Sequence, residues 1–581
     1  MAVGSAVRGL RPRRNPFNLS HDIRLTCRFG ELIPILIEDA IPGDTWRLGL
    51  EKIVRFLPMA KPIMHRVKVQ AHYFFIPYRL LWKHWETFYT GGQSGNATPQ
   101  IPKVWNPDAA IQLAPPNSSS GTDLHSLWDY FGFPVVNFLQ DSSPKMPVCF
   151  PWRAYHRIWW EYYRDQDLQR FDTDWATPGA IFGSNVIDSD FDMDWWSGFV
   201  NLENEERVPY QWDSIKMANL RFRNWHKDYF TASRPWQQRG DAPALPVQGH
   251  LPIFGGLSGM PGVGLPLTMI SDQAPALGYN VISYTGANNV NQGQIQRQII
   301  GGIDPNNMAS GTLNSWYADA NYSTTFDVAD LRLAFQIQKW MERNARGGVR
   351  YNEAIRAHFG ESPRDDRLQR AEYIGGVTSW VEVSEVLQTS ETGGTPQGEM
   401  AGHGLDYGGE RVGSYKVLEP GIIIGILSIM PDQAYENGID RNWTKETRFD
   451  YYFPEFANLS EQAIERGEIF WTGTQADKEL WGFIPRYDEY RHRTSKSVSE
   501  MRVNLRPFQT SLADWHLGRD FQSSPNLNSQ FISMEQAASR LNRVFHYSDP
   551  EARNILIDCH HHITAIRPMP HIAEPGLIDH H

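Results

Sequence analysis

Cysteine is scarce in this chain. Only three of its 581 residues are cysteines, and Cys27, Cys149 and Cys559 lie far apart. Because no two of them form a CxxC pair, the sequence predicts neither a disulfide framework nor a cysteine-rich zinc site. This usage is typical of a protein that folds in a reducing compartment.

Long hydrophobic runs are also missing. The longest one, residues 421–430 (GIIIGILSIM), is much shorter than the roughly 20 residues that a membrane-spanning helix needs, and it is typical of a buried strand. The first 20 residues lack the apolar segment of about 7 to 15 residues that a secretory signal requires. We therefore expect a protein that is neither exported nor inserted into a membrane.

Catalytic and cofactor-binding motifs are absent as well. The sequence contains no P-loop, no HExxH, no GxSxG elbow and no Rossmann fingerprint between a strand and a helix. Residues 402–413 (GHGLDYGGERVG) are rich in glycine, but they lack the lysine and the serine or threonine of a phosphate-binding loop. We interpret them as an ordinary loop, and the chain is predicted to be no enzyme and to need no cofactor.

Two clusters resemble metal sites only superficially. His560, His561 and His562 are consecutive, and because neighbouring strand residues point to opposite faces, at most His560 and His562 can share one metal ion. The acidic residues at positions 190, 192 and 194 have ligands suited to a hard cation, but surface loops are commonly acidic for solubility alone. A structural role is favoured for both clusters, and no metal site is predicted.

Positive charge is in deficit over the whole chain. Lys and Arg total 55 against 66 Asp and Glu, which gives a formal net charge of −11 and argues against a uniformly basic surface that coats nucleic acid. One local exception lies within residues 1–20, where no acidic residue precedes Asp22 and four arginines occur: Arg8, Arg11, Arg13 and Arg14. This basic N-terminal arm is either a solvated tail or a local contact for nucleic acid.

Aromatic residues, glycine and proline are abundant. The 21 Trp, 23 Tyr and 29 Phe, together with 47 Gly and 38 Pro, favour strands joined by many turns and long loops. Strands are indicated by alternating or continuous apolar runs bounded by turn residues, namely ELIPILIEDAIPGDTWRLGL, HRVKVQAHYFFIP, GIIIGILSIMP, GEIFWTGT, ELWGFIPRYDEYR and NILIDCHHHITAIRPMP. The sequence therefore predicts a mainly β protein.

Helices are indicated at four places between these strands. Apolar residues at helical spacing predict a helix around 81–89, a second one that begins near Pro151, a third through Leu333, Ile337, Trp340 and Met341, and a fourth over about 351–359. Residues 241–326 are rich in Gly, Asn, Ser and Pro and show little periodicity. Because this stretch still carries hydrophobic patches, we expect an ordered insertion at the surface rather than a flexible linker.

The order of the elements bears on domain number. Length alone suggests several domains, but strand-rich sections occur at both ends of the chain, with helices and the insertion between them. We therefore expect the first and last strands to pair, so that residues 1–581 form one β domain with long excursions between its strands.

Several long segments stand out in order along the chain: NPFNLSHDIRLTCRFGELIPILIEDAIPGDTW, PMAKPIMHRVKVQAHYFFIPYRLLWKHWETFYTGG, FPWRAYHRIWWEYYRDQDL, DYFTASRPWQQRG, LRLAFQIQKWMERNARGGVRYNEAIRAHFG, RLQRAEYIGG, TPQGEMAGHG and PMPHIAEPGLIDHH. Together they resemble the major capsid proteins of the Microviridae, and among them the gokushovirus type. The resemblance covers nearly the full chain and is weakest within residues 241–326 and in the first dozen residues.

The resemblance implies a single eight-stranded antiparallel jelly roll whose copies assemble, by way of pentamers, into a small icosahedral shell around circular single-stranded DNA. It further implies that the insertion forms protrusions at the threefold axes, which suits attachment to a host receptor, and that assembly takes place in the cytoplasm of a bacterial host. The implied partners are an internal scaffolding protein, a small basic DNA-binding protein and a pilot protein. In this setting the arginines of the arm are candidates for contact with the DNA.

Two other classes of protein compete with this interpretation. Exposed aromatics that stack on sugars and pairs of acidic residues that cleave glycosidic bonds are also features of carbohydrate-active β-sandwich proteins. A structural or scaffolding protein of another virus group is the second alternative. The missing secretion signal and the ordered segments argue against the first of them, and the lattice seen in particle images distinguishes the second.

Overall fold

The computed structural model divides into two compact units, one formed by residues 1–237 with 344–581 and the other by residues 238–343. The residues whose structure is described here are 14–82, 84–90, 97, 99, 101, 125–134, 147–169, 220–238, 253–257, 264–267, 313–318, 328–347, 356–357, 369–387, 400–457, 459–502, 512–519 and 521–571.

The first unit is built mainly from antiparallel strands. They are β1 (Asn15–Asn18), β2 (His21–Cys27), β3 (Ile33–Ala40), β4 (Thr45–Phe56), β5 (Val67–Pro77) and, after the second unit, β9 (Glu372–Trp380), β10 (Glu382–Leu387), β11 (Met400–Lys416), β12 (Gly421–Pro431), β13 (Glu461–Glu465), β14 (Leu480–Pro485) and β15 (Ile555–Arg567). The second unit contains β6 (Ile253–Leu257), β7 (Gly264–Leu267) and β8 (Leu313–Ala318). The predicted mainly β class is confirmed.

Two sheets form the body of the first unit. The first sheet has the order β1-β15-β4-β11-β10, with β2 also paired to β15, and the second has the order β3-β12-β5-β9. Side chains from both sheets belong to one continuous hydrophobic core. Strand β4 shows how the sequence builds this core, because its even-numbered residues from Trp46 to Phe56 are buried while the odd-numbered ones are partly or fully exposed.

The two ends of the chain meet in the first sheet. Strand β15 pairs with β2 from Ile555 opposite Cys27 onward, and its last residues pair with β1, where Arg567 lies opposite Asn15. On its other edge β15 runs antiparallel to β4. The predicted pairing of first and last strands is therefore confirmed, and the chain folds back on itself across almost its whole length.

Strand β12, the GIIIGILSIM segment, is buried at every residue, as the sequence predicted. It lies between β3 and β5 in the second sheet and also contacts helix α3 (Phe150–Ile158). A strand that is covered on both faces needs no alternation of polar and apolar residues. This explains its continuous apolar sequence.

The other helices are short, apart from one. They are α1 (Trp85–Thr90), α2 (Leu127–Tyr130), α4 (Val328–Gly347), α5 (Arg466–Ile469), α6 (Ser529–Ile532) and α7 (Glu535–Leu541), and a π-helical turn over Trp159–Tyr163 continues α3. The first three predicted helices are confirmed as α1, α3 and α4, whereas the fourth lies largely outside the described residues. Among the described helices none is both long and apolar enough to span a bilayer.

Short 3-10 turns complete the first unit. They span Tyr78–Leu80, Arg441–Trp443, Arg448–Asp450, Pro454–Phe456, Gln475–Lys478, Asp488–Tyr490, Ser499–Met501, Ala513–Trp515 and Asn542–Val544. Most of them lie between β12 and β15, so this long connection consists largely of turns.

Two local predictions were wrong. Residues 467–474 (GEIFWTGT), predicted to be a strand, begin inside α5, where a capping box between Glu465 and Glu468 favours a helical turn. Residues 402–413, predicted to be a loop, lie within β11, which pairs with β4 and β10. The glycines of β11 permit close packing, since a Cβ atom at Gly404 would lie 2.7 Å from the Phe56 ring.

A buried polar cluster joins the two sheets. Lys52 on β4 points into the core, where its Nζ donates a hydrogen bond to Asp406 Oδ2 on β11 at 2.8 Å and another to Ser379 Oγ on β9. The Ser379 hydroxyl in turn donates to Asp406. The side chains of Lys52 and Asp406 are 1% and 5% exposed. Each charge therefore depends on its partner, because water does not reach either one.

His561, the middle histidine of the HHH run, forms a second link between the sheets. Its side chain is fully buried, and its Nε2 donates to the Ile35 carbonyl on β3 at 2.9 Å, while Nδ1 lies 3.3 Å from the Tyr73 hydroxyl on β5. Burial lowers the pKa of His561 to about 4. The ring is therefore neutral at pH 7, with Nδ1 as the acceptor for Tyr73.

In the second unit, β6 pairs with both β7 and β8 to form a three-stranded antiparallel sheet. The long helix α4 begins in this unit, and Leu333 and Trp340 on it are exposed. The predicted insertion, residues 241–326, falls within this unit.

Candidate subunit interface

The predicted DNA-contacting arginines lie at the edge of the described structure. Arg8, Arg11 and Arg13 fall outside the described residues, so only Arg14 can be placed. It is exposed, directly precedes β1, and has a guanidinium nitrogen beside the turn at Gly43. Whether the four arginines form one cluster stays a prediction.

The three consecutive histidines do not converge on one point. His561 faces the core, whereas His560 and His562 lie on the exposed face of the first sheet with their rings 4.5 Å apart. His560 pairs with Asp22, and His562 Nε2 lies 2.9 Å from Glu51 Oε1. Within the described part of the chain no group of three or more His, Cys, Asp or Glu side chains is arranged to hold a metal ion. The acidic residues at 190, 192 and 194 lie outside that part.

All three cysteines are buried free thiols. Burial raises the pKa of Cys559 to about 12 and holds the pKa values of Cys27 and Cys149 above the ordinary range. They are therefore protonated at neutral pH and behave as small core residues rather than nucleophiles.

A cluster of exposed aromatic rings lies in the connection between β12 and β15. Its members, which we call the aromatic patch, are Phe449, Tyr451, Tyr452, Phe453 and Tyr490, and each is between 41% and 53% exposed. An aromatic side chain buries about 150–250 Å² when it is fully covered, so the patch presents roughly 500 Å². The largest apolar patch on a monomeric protein is typically of this size and is often functional.

The aromatic patch is held in place by neighbouring side chains, of which Tyr487 is buried and Arg486 is partly buried. The buried Tyr487 donates its hydroxyl to the Tyr451 carbonyl at 3.0 Å and packs its ring 5.1 Å from that of Tyr452. Arg486 donates to the Phe449 carbonyl at 2.9 Å, and Lys445 lies 4.0 Å from the Tyr490 ring. Rings that are already fixed lose little conformational entropy when a partner covers them.

Sequence reasoning took the high aromatic content as an indication of strands and did not locate this patch. The signal available was RFDYYFPEF, residues 448–456, which places aromatics among charged residues without strand or helix periodicity. Aromatic side chains outside a periodic strand or helix lie on no regular face that packs against the core. These rings should therefore have been expected to be exposed.

The family model and the relatives found by comparison with known proteins are all capsid proteins. A model of the family described as capsid protein (F protein) matches residues 5–577. Capsid protein VP1 of Chlamydia phage 1 is 29% identical over 618 residues, which cover 97% of this chain and 96% of the relative. Capsid protein VP1 of Bdellovibrio phage phiMH2K is 29% identical and that of Spiroplasma virus 4 is 28% identical, each covering 97% of this chain and 95% of the relative.

Proposed function

The chain belongs to the capsid protein (F protein) family, and from this premise we propose that its copies assemble into a small icosahedral shell that encloses circular single-stranded DNA. It is a structural protein of the phage virion and not an enzyme. The resemblance found in the sequence is thereby confirmed, and the carbohydrate-active alternative is set aside.

We propose that residues 1–581 form one capsid domain around an eight-stranded jelly roll. The support is the strand order, in which β2-β15-β4-β11 form one four-stranded arrangement and β3-β12-β5-β9 the other. Along the chain these eight strands alternate between the two sheets, except that β5 and β9 are both in the second, where they pair. This is the winding expected of a jelly roll. Strands β1 and β10 extend the first sheet.

The observation that carries the assembly proposal is the aromatic patch. Stable interfaces bury about 800 Å² per partner, and aromatic side chains supply much of the binding energy. The roughly 500 Å² of fixed aromatic surface is a large share of what one such contact needs. An isolated subunit gains no stability from exposing the aromatic patch, whereas in a shell the next copy covers it. Pentamers are the proposed first closed assembly.

Electron microscopy of the expressed full-length chain tests the proposed function. We expect closed particles of uniform diameter, formed by the chain alone or together with an internal scaffolding protein. A chain that stays monomeric at high concentration under both conditions contradicts the proposal. Particles with a lattice of another symmetry favour the rival assignment to a different virus group.

We also propose that the N-terminal arm, residues 1–20, contacts the packaged DNA through Arg8, Arg11, Arg13 and Arg14. The support is local charge, because four cations precede the first acidic residue in a chain of net charge −11. Replacing all four arginines with alanine should lower the DNA content of particles and leave shell formation intact, as measured by the ratio of absorbance at 260 and 280 nm after sedimentation. Unchanged DNA content would refute this assignment.

The insertion, residues 241–326, is proposed to form protrusions at the threefold axes and to bind the host receptor. It lies in a compact unit with its own small sheet, which suits a segment that projects from the body of a subunit. Particles that lack the insertion and still adsorb normally to host cells would remove this role.

The remaining partners follow from the resemblance alone. We propose an internal scaffolding protein, a small basic DNA-binding protein and a pilot protein as partners, with assembly in the cytoplasm of the bacterial host. Copurification of these proteins with assembly intermediates from infected cells supports the set, and intermediates that contain only this chain at every stage contradict it.

A further inference from the structure

A pocket of about 250 Å³ lies between the segments 435–443 and 489–502 of the first unit. At its rim stands Trp443, which is 82% exposed and the last residue of a 3-10 turn whose N-cap, Asp440, accepts from the Asn442 backbone at 3.0 Å. We call this cavity the Trp443 pocket. The side chains in its lining that bear on ligand binding are Asp440, Arg441, Trp443, His492, Arg493 and Lys496. Because the indole ring of Trp443 is so exposed, it has no role in packing the core.

Cations prevail on the outer side of the Trp443 pocket. Asp440 is shared by Arg493, at 2.9 Å, and by Lys496, at 3.8 Å. The side chains of Arg493 and Lys496 are 72% and 38% exposed, whereas that of Asp440 is only 18% exposed. Arg493 and Lys496 therefore present two positive charges to solvent, beside the single, largely buried carboxylate of Asp440. The electrostatic potential at the rim of the pocket is therefore positive.

The carboxylates on the inner side are engaged by other groups. Glu468 accepts from the Tyr229 hydroxyl at 2.8 Å and from Arg441 at 3.1 Å, and Glu489 accepts from Gln462 at 2.7 Å. Burial raises the pKa of Glu468. The hydrogen bonds to Glu468 and Glu489 and the charge of Arg441 limit repulsion of an anion bound at the rim.

We propose that the Trp443 pocket binds one nucleotide of single-stranded DNA, with the base stacked on Trp443 and the flanking phosphates on Arg493 and Lys496. The proposal rests on the proposed function, in which this chain encloses a single-stranded genome. An aromatic face beside exposed cations is the combination that binds unpaired bases together with their backbone. In a duplex the base faces are already stacked, so Trp443 selects the single strand.

The test is the binding of a fluorescein-labelled oligothymidylate, about a dozen nucleotides long, to the full-length chain, followed by fluorescence anisotropy. Trp443→Ala should weaken binding by roughly fivefold to a hundredfold, since one stacked base contributes that much. Arg493→Ala with Lys496→Ala should weaken binding and reduce the salt slope, d log K/d log[salt], by about 1.4 for two lost phosphate contacts. Trp443→Phe and Arg493→Lys should each retain most of the affinity.

The matched control replaces Arg411 and Lys416, an exposed arginine and lysine on β11, with alanine and should leave binding unchanged. Equal affinity for the oligonucleotide after Trp443→Ala overturns the proposal, as does equal weakening by the control pair. Binding of dextran sulfate that competes fully and does not depend on Trp443 also overturns it, because the surface is then a general polyanion site. Thermal unfolding of each variant verifies that it is folded.

Electron microscopy of the same variants separates failure of the pocket from failure of the proposed function. If the wild-type chain forms closed particles but Trp443→Ala leaves oligonucleotide affinity unchanged, the pocket assignment is wrong and the capsid assignment stands. If the wild-type chain forms no particles with or without a scaffolding protein, the proposed function itself fails.

Discussion

Replacing Lys52 with methionine should lower the free energy of unfolding by about 3–5 kcal/mol, because it leaves the Asp406 carboxylate buried without its cation. Lys52 and Asp406 lie in the core between the sheets, with 2.8 Å between Nζ and Oδ2, and water does not replace the lost partner there. Ser379 accepts from Lys52 and donates to Asp406, so the change also disturbs the contact between β4, β11 and β9. Urea denaturation followed by tryptophan fluorescence measures the effect.

The double variant Lys52→Met with Asp406→Leu is the informative control. It removes both charges together, and apolar replacement of a buried pair is often neutral or stabilising. We therefore expect it to be at least as stable as the wild type to within about 1 kcal/mol. Lys416→Met, at an exposed position on β11, should change little. A Lys52→Met variant that unfolds at the wild-type urea concentration would show that the pair contributes nothing to stability.

Of the two residues in this buried pair, Lys52 could be predicted from the sequence to point into the core. The alternation of β4 places Lys52 on the same face as Trp46, Leu48 and Leu50, so the period of two already points its side chain into the core. Its partner was not predictable, because Asp406 lies 354 residues away in a segment whose glycines favoured a loop. Local pattern gives the face of a strand, whereas pairing over such a distance depends on the completed fold.

The glycines of β11 allow close packing within a strand, whereas their number in the sequence suggested a loop. A Cβ atom at Gly402 would lie 2.7 Å from Pro62 Cα, and at Gly375 on β9 it would lie 2.4 Å from the Val412 carbonyl oxygen. The glycines of β11 and of its neighbour β9 therefore allow chain segments to approach closely. Composition alone cannot separate this use of glycine from its use in turns, because both require only that the side chain be absent.

The pairing of chain ends, by contrast, followed from strand patterns at both termini, since β2, β4 and β15 each carry clear β periodicity. The aromatic patch was missed because its residues belong to no periodic element, and the Trp443 pocket was missed because it combines residues from two segments. Sites assembled from irregular connections leave no spacing in the sequence that identifies them.

Two substitutions in the aromatic patch, Phe449→Ser and Tyr451→Ser, should abolish particle formation while leaving the subunit folded. Both rings are about half exposed, so their removal opens no cavity in the core. Buried aromatics at the centre of an interface commonly contribute about 2 kcal/mol or more each. The two losses together weaken one contact between copies by roughly a thousandfold. Because a closed shell repeats each contact over its whole surface, such a loss prevents closure rather than merely slowing it.

Sedimentation velocity and electron microscopy measure this outcome, and circular dichroism confirms that the variant subunit is folded. Tyr407→Ser and Trp471→Ser form the matched control, since both residues are exposed aromatics outside the patch, at 72% and 56% exposure. The control chain should assemble like the wild type. If the patch variant forms normal particles, the fixed rings of residues 449–453 do not join subunits. If the control pair is equally defective, a general loss of surface aromatics explains the result, and the patch has no special part in assembly.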